Sequence, residues 1–151
     1  MIVMNREDIT DRILYGHYLE QLFAIITGRI DRFISVLLLI FGSAIVLNGN
    51  PFFFGISIVV LSAIQLTYQF GKKSGAAKKK AFDYLKLYTN ESKFDDSELR
   101  ERLLELESTD DIIWPCLEPI ALLKTQIRLN VDLQFQEKLS YYQKVIRLVC
   151  G

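Results

Sequence analysis

The stretch PFFFGISIVVLSAIQLTYQF, from Pro51 to Phe70, contains no charged residue and decides the fold. As a helix rising 1.5 Å per residue it spans roughly 30 Å, about the thickness of the hydrocarbon core of a bilayer. A second charge-free stretch, FISVLLLIFGSAIVL from Phe33 to Leu47, spans roughly 22 Å by the same rise. Arg29 and Arg32 can lengthen it by extending their charges to the headgroups.

The turn residues NGNP (48–51) separate these two stretches and leave room only for a tight reversal. Pro51 suits the first position of a helix, where no backbone N–H is needed. The pattern therefore predicts a transmembrane helical hairpin over residues 33–70, with spans at 33–47 and 51–70. A buried soluble hairpin, or one interfacial helix plus one span, is the alternative.

Cationic residues flank the predicted hairpin on one side only. Arg29 and Arg32 precede the first span, and the loop between the spans has no charge. The run GKKSGAAKKK (71–80) follows the second span and supplies Lys72, Lys73, Lys78, Lys79 and Lys80. Because cations concentrate in the cytoplasmic loops of membrane proteins, both termini are expected in the cytoplasm. The lysines can bind anionic lipid headgroups, or an anionic ligand such as a nucleotide or oligonucleotide.

The remaining chain predicts helices and no convincing strand, so we expect an all-α integral membrane protein. Residues 1–32 form an N-terminal cytoplasmic helix in this interpretation, and residues 71–151 form a helical cytoplasmic tail. Near the end, apolar residues step by four and three, as in two coiled-coil heptads. They are Phe135, Leu139, Tyr142, Ile146 and Val149. This seam packs either within one chain or between subunits of a homo-oligomer.

Charge is sorted along the tail, although the whole chain has 18 basic and 18 acidic residues. Residues 71–93 contain seven lysines and two acids, and residues 94–121 contain nine acids and two arginines. Residues 122–151 are basic again, with five cations against two acids. These layers are either complementary between neighbouring helices or subunits, or simply solvated faces. The zero net charge gives no reason to expect duplex nucleic-acid binding.

No pattern predicts an enzyme, a metal site or a cofactor. His17 is the single histidine, so a catalytic triad would have to use it, and nothing nearby supports one. Cys116 and Cys150 lack the CxxC spacing of zinc sites.

Polar residues in the second span form one face. Ser62, Gln65 and Gln69 lie at i, i+3 and i+7. Amides in hydrocarbon are costly unless they meet protein or water, so the chain is expected to oligomerise. The face then lines a pore, or forms a dry interface with hydrogen bonds across helices. A third alternative is a tilt that lifts Gln69 to the membrane interface, with Tyr68 as an interfacial anchor. Gly71 and Gly75 follow as candidate hinges between span and tail.

This layout resembles the SLATT family, SMODS and SLOG-associating two-transmembrane effectors of bacterial antiviral defence. The resemblance covers roughly residues 14–130, and the local similarity lies in GRIDRF (28–33) and DDIIWPCLEPIALLKTQIRLN (110–130). It implies a pore-forming effector in the bacterial inner membrane. A nucleotide-type signal, or the protein that makes or senses it, would control that pore. It implies no catalytic residue.

Two other functions suit the same layout. The chain can be a non-conducting membrane anchor or adaptor that docks a partner through the acidic layer and the C-terminal seam. A holin-like or immunity protein would share the hairpin but would not need so long a tail.

Overall fold

The computed structural model describes residues 5–47, 50–109, 113–132 and 136–150. These residues form helices and turns without a strand, which confirms the all-helical prediction. The helices are α1 (Arg6–Val46), α2 (Pro51–Tyr68), α3 (Phe70–Thr89), α4 (Asp96–Ser108), α5 (Glu118–Arg128) and α6 (Tyr141–Cys150). Short 3₁₀ helices at Glu91–Lys93 and Pro115–Leu117 precede α4 and α5.

The first helix continues past residue 32, where the sequence predicts a boundary between the N-terminal helix and the first apolar stretch. Asn5 caps α1, and the Asp8 side chain returns to the Asn5 backbone N–H in a capping box. From there α1 continues for 41 residues, about 60 Å, without a break at Gly28 or at residue 32. The predicted N-terminal helix and first apolar stretch are therefore one rigid element.

The second helix begins as the sequence predicts. The Asn50 side chain accepts hydrogen bonds from the backbone N–H groups of Phe52 and Phe53, and Pro51 occupies the first turn. α2 packs beside the end of α1, where the rings of Phe41 and Phe54 are 5.7 Å apart. Residues 48 and 49 of the predicted turn lie outside the described residues.

One stretch of the described residues is long and apolar enough to cross a membrane, and it begins at Pro51. None of its apolar window is buried inside the structure. The end of α1 is apolar over a shorter length, because Arg29, Asp31 and Arg32 precede its charge-free part.

The other helices form a bundle around the N-terminal half of α1. Two apolar clusters hold it together. The first joins α1 to α3, α5, α6 and the second 3₁₀ helix through Leu22, Phe23, Ala24, Ala77, Leu117, Ile120, Ala121, Ile146 and Cys150. The second joins α1 to α3 and α4 through Ile9, Ile13, Tyr84, Leu87, Leu99 and Leu103.

The bundle depends on a close approach of α3 to α1. A Cβ atom at Gly16 would lie 2.8 Å from the ring of buried Tyr84, so only glycine fits there. The Ser74 hydroxyl donates to the Ala24 carbonyl at 2.7 Å, and its oxygen would meet a Cβ at Gly28. His17 Nδ1 lies 2.7 Å from the Ala81 carbonyl oxygen, so it carries the proton and donates. His17 is thus part of this contact.

Candidate functional site

The predicted polar face of α2 forms a groove. Ser62, Gln65, Leu66 and Gln69 line it together with Lys72 from the start of α3, and its volume is about 470 Å³. The structure thus brings together the three residues whose spacing indicated a common face. It also adds a cation at the end of the groove, where α2 meets α3.

Gln65 differs from its neighbours because it contacts α1. Its side-chain Nε2 donates to Asp31 Oδ1 at 3.4 Å and to the Ser35 hydroxyl at 3.3 Å. Ser35 in turn donates to the Asp31 carbonyl at 2.9 Å. Ser62 and Gln69 are exposed, as are Leu66 and Lys72, so every groove residue except Gln65 is open to a second molecule.

Asp31 is a site residue that the sequence analysis did not select. Its carboxylate lies 3.0 Å from the position of a Cβ at Gly71, so it contacts the backbone of α3 as well as Gln65. An acidic residue between Arg29 and Arg32, just before an apolar stretch, was the available signal. A carboxylate at the edge of an apolar stretch is expected to contact a hydrogen-bond donor or a cation, because burying it without one is costly.

The break between α2 and α3 lies at Gln69. Its φ of 48° and ψ of 46° are left-handed, a conformation that costs an L-residue roughly 1–2 kcal/mol. The predicted hinge residues, Gly71 and Gly75, both lie inside α3. A Cβ at Gly71 would lie 3.0 Å from Asp31 Oδ2 and would press on that carboxylate, whereas nothing lies within 4 Å of a Cβ at Gly75. The left-handed Gln69 lies before both glycines and has no sequence signature. The hinge role of Gly71 and Gly75 stays a prediction.

The five lysines do not converge on one site. Lys72, Lys73, Lys78 and Lys79 are exposed around the circumference of α3. Lys80 is half-buried, and its ammonium group donates to the Thr109 carbonyl after α4. This distribution presents a cationic collar rather than a pocket.

The predicted C-terminal seam is divided. Leu139 and Ile146 pack in the first apolar cluster of their own chain, whereas Tyr142 and Val149 are exposed. Phe135 lies outside the described residues. The buried face of α6 instead includes Cys150, and the Val149 carbonyl accepts a hydrogen bond from Arg29 of α1. Within one chain α6 turns Ile146 and Cys150, four residues apart, toward α1. The seam as a contact between subunits stays a prediction.

A second groove lies between α5 and α6, where the sequence analysis selected no site. Leu123, Ile127 and Leu148 form its apolar part, and Lys124, Lys144 and Arg147 contribute three cations. Burial and, to a smaller extent, the nearby Arg147 lower the pKa of Lys124, while Cys150 opposes this shift. The basic composition of residues 122–151 was the available signal. The packing of α6 beside α5 brings these cations together, and their spacing in the sequence does not predict it.

The part of the chain that the structure describes shows no group of three His, Cys, Asp or Glu side chains placed to bind a metal. Cys116 and Cys150 are free thiols, and burial raises the pKa of Cys150 above its usual value. A thiol with a raised pKa is a weak nucleophile at neutral pH.

Comparison with known proteins found no protein-family model, no curated protein and no solved structure that matches this chain. The likeness to the SLATT family stays a prediction from layout and two short segments.

Proposed function

We propose that this chain is a two-span membrane protein whose copies assemble into an ion-conducting pore. The polar groove of α2 carries the proposal, because Ser62 and Gln69 are exposed on a helix that buries no residue. Polar side chains on a helix within the hydrocarbon core of a bilayer are costly unless they contact protein or water. Assembly of several copies around Ser62 and Gln69 would provide contacts with neighbouring protein and with water in the pore.

The apolar surface of the α1–α2 pair supports a bilayer as its surroundings. Leu39 is 71%, Phe52 78% and Val59 68% exposed. Monomeric soluble proteins rarely expose contiguous apolar surface on this scale. In the proposal, α2 and the end of α1 are the two spans. In a bacterial inner membrane, the flanking cations would favour an orientation with both termini on the cytoplasmic side.

Control of the pore would come from the bundle. α3 follows α2 after the single left-handed residue Gln69 and packs along α1, so a shift of α3 would reach the groove. A signal gates such a pore only if it binds the open and closed states with different affinity. The cationic collar of α3 suits an anionic signal of the nucleotide type. Replacing Lys72, Lys73, Lys78 and Lys79 by glutamine should then remove the response and leave assembly intact.

The biological setting rests on the resemblance to the SLATT family. In that setting the pore is an effector of antiviral defence that damages the membrane barrier when a phage infects. Its partner would be a nucleotide-synthesising or sensing protein. Phage plating on cells with and without the gene tests this part separately from conduction.

Potassium release from proteoliposomes tests conduction. A Ser62→Leu variant fills the groove and leaves the Gln65–Asp31 contact in place. A Ser57→Leu variant makes the same change about 140° around α2, which provides a matched control. Oligomer size is measured for all three proteins.

We expect flux from the wild type, reduced flux from Ser62→Leu and unchanged flux from Ser57→Leu. If Ser62→Leu and Ser57→Leu gave the same flux, the groove of α2 would not line the conduction path. Absence of flux from the wild type, with and without the partner's signal, would reject the pore.

A membrane anchor is the second candidate, and one observation favours it. Gln65 already finds Asp31 and Ser35 in its own chain, so it joins the two helices without a pore. An anchor would bind its partner with equal affinity whether or not Ser62 is replaced, and would release no potassium.

A further inference from the structure

The outward surface of α4 is acidic. Glu98, Glu101 and Glu105 follow each other at three- and four-residue spacing, so they share one face, and all are exposed. Exposed Arg102 lies on the same face and pairs with Glu98, which leaves Glu101 and Glu105 as the carboxylates available to a second copy. Leu104, 47% exposed, adds apolar surface beside them. Leu99 and Leu103 fix this orientation because they are buried against α1 and α3.

The α5–α6 groove has the opposite charge and a matching apolar part. Lys124, Lys144 and Arg147 are the charged residues among the described part of the chain that line its volume of about 520 Å³. Ile127 is 52% and Leu148 83% exposed at the same place. Three cations crowded beside apolar surface favour an anionic, partly apolar occupant.

The two surfaces belong to different parts of the bundle. α4 packs against α1 and α3, whereas α6 packs against α1, α5 and the second 3₁₀ helix. One copy can therefore present its α4 face to one neighbour and its groove to another. Contacts between unlike surfaces propagate from copy to copy and close into a ring when the rotation allows it.

We propose that copies of this chain assemble head to tail, with the carboxylates of α4 in one copy packed into the α5–α6 groove of the next. This assignment rests on the proposed pore, because it supplies the ring that a pore requires. It places the subunit contact in the bundle, so assembly can be altered without changing the spans.

Charge reversal on each side tests the contact. One variant has Glu101→Lys and Glu105→Lys, and the other has Lys144→Glu and Arg147→Glu. Glu98 is left unchanged because it pairs with Arg102 at 2.8 Å within its own helix. Detergent-corrected light scattering gives the number of copies, and circular dichroism checks the fold. A Glu7→Lys, Asp132→Lys variant changes the net charge as much as the first variant and serves as the control.

Each reversed variant should lose assembly by roughly hundredfold or more, because like charges then face each other. A 1:1 mixture of the two should again form oligomers, since every contact between unlike variants joins opposite charges. Such an alternating ring closes with an even number of copies. The control should assemble like the wild type.

Three results would overturn the inference: assembly that neither reversal weakens, a mixture of folded variants that fails to recover, or a wild type of two copies only. Recovery of assembly without potassium release would instead leave the contact established and reject the pore.

Discussion

The side chains of Gln65 and Asp31 join α2 to α1, with 3.4 Å between Gln65 Nε2 and Asp31 Oδ1. The same carboxylate contacts the backbone of α3 at Gly71, which has no Cβ in the way. Asp31 therefore lies where three helical segments meet, at the end of the apolar surface. Any movement of α3 relative to α1 has to change this contact.

The Gln65 contact should stabilise the α1–α2 pair by about 1 kcal/mol, the range found for hydrogen bonds between membrane helices. A double-mutant cycle with Gln65→Leu and Ser35→Ala, followed by denaturing-detergent unfolding, measures the part shared with Ser35. We expect a coupling of roughly 0.5 kcal/mol. Purely additive effects would show that Gln65 binds Asp31 alone or turns elsewhere in the bilayer.

Gly16 and Gly75 should respond in opposite ways to alanine. Gly16→Ala should lower the free energy of unfolding by about 1–3 kcal/mol, because its Cβ would overlap the buried Tyr84 ring. Gly75→Ala meets nothing within 4 Å and should raise it by up to about 1 kcal/mol through helix propensity. Thermal unfolding followed by circular dichroism compares them. Reduced potassium release from stable Gly75→Ala would support its predicted role as a hinge.

Gln69→Gly should raise the free energy of unfolding by about 1 kcal/mol, because glycine adopts the left-handed conformation without steric cost. Asn130→Gly is the comparison. Asn130 also has a positive φ, 55°, after α5, but asparagine tolerates it better. We therefore expect a smaller gain at residue 130 in the same unfolding measurement. A loss of stability at Gln69→Gly would indicate a straight α2–α3 helix in the membrane.

Asp11→Asn should stabilise the chain near neutral pH and have little effect at pH 3. Asp11 is exposed, but partial desolvation by its neighbours, followed by repulsion from Asp8 and Glu7, raises its pKa. A raised carboxyl pKa means that the folded state binds the proton more tightly. Stability linked to Asp11 is therefore present below its unfolded pKa, near 3.8, and declines as pH rises through the folded value. The melting temperatures of the wild type and of Asp11→Asn should be similar at pH 3. As the pH rises to 7, Asp11→Asn should melt at an increasingly higher temperature than the wild type. Parallel curves would contradict the shift.

Local patterns in the sequence determined much of this protein. Charge-free stretches, turn residues and helical spacing predict the apolar helices, the Asn50–Pro51 start of α2 and the shared face of Ser62, Gln65 and Gln69. These features depend on residues within a few turns of one another, where helix geometry fixes the outcome.

Only the tertiary structure decided the rest. It made α1 one continuous helix, put the break at Gln69 and brought Asp31 beside Gln65. It also turned Ile146 inward and Tyr142 outward, and gathered Lys124, Lys144 and Arg147 around one groove. Each of these features depends on which helix, distant in the sequence, packs alongside. The packing energy is spread over two apolar clusters whose residues are far apart in the chain, so no local spacing in the sequence predicts it.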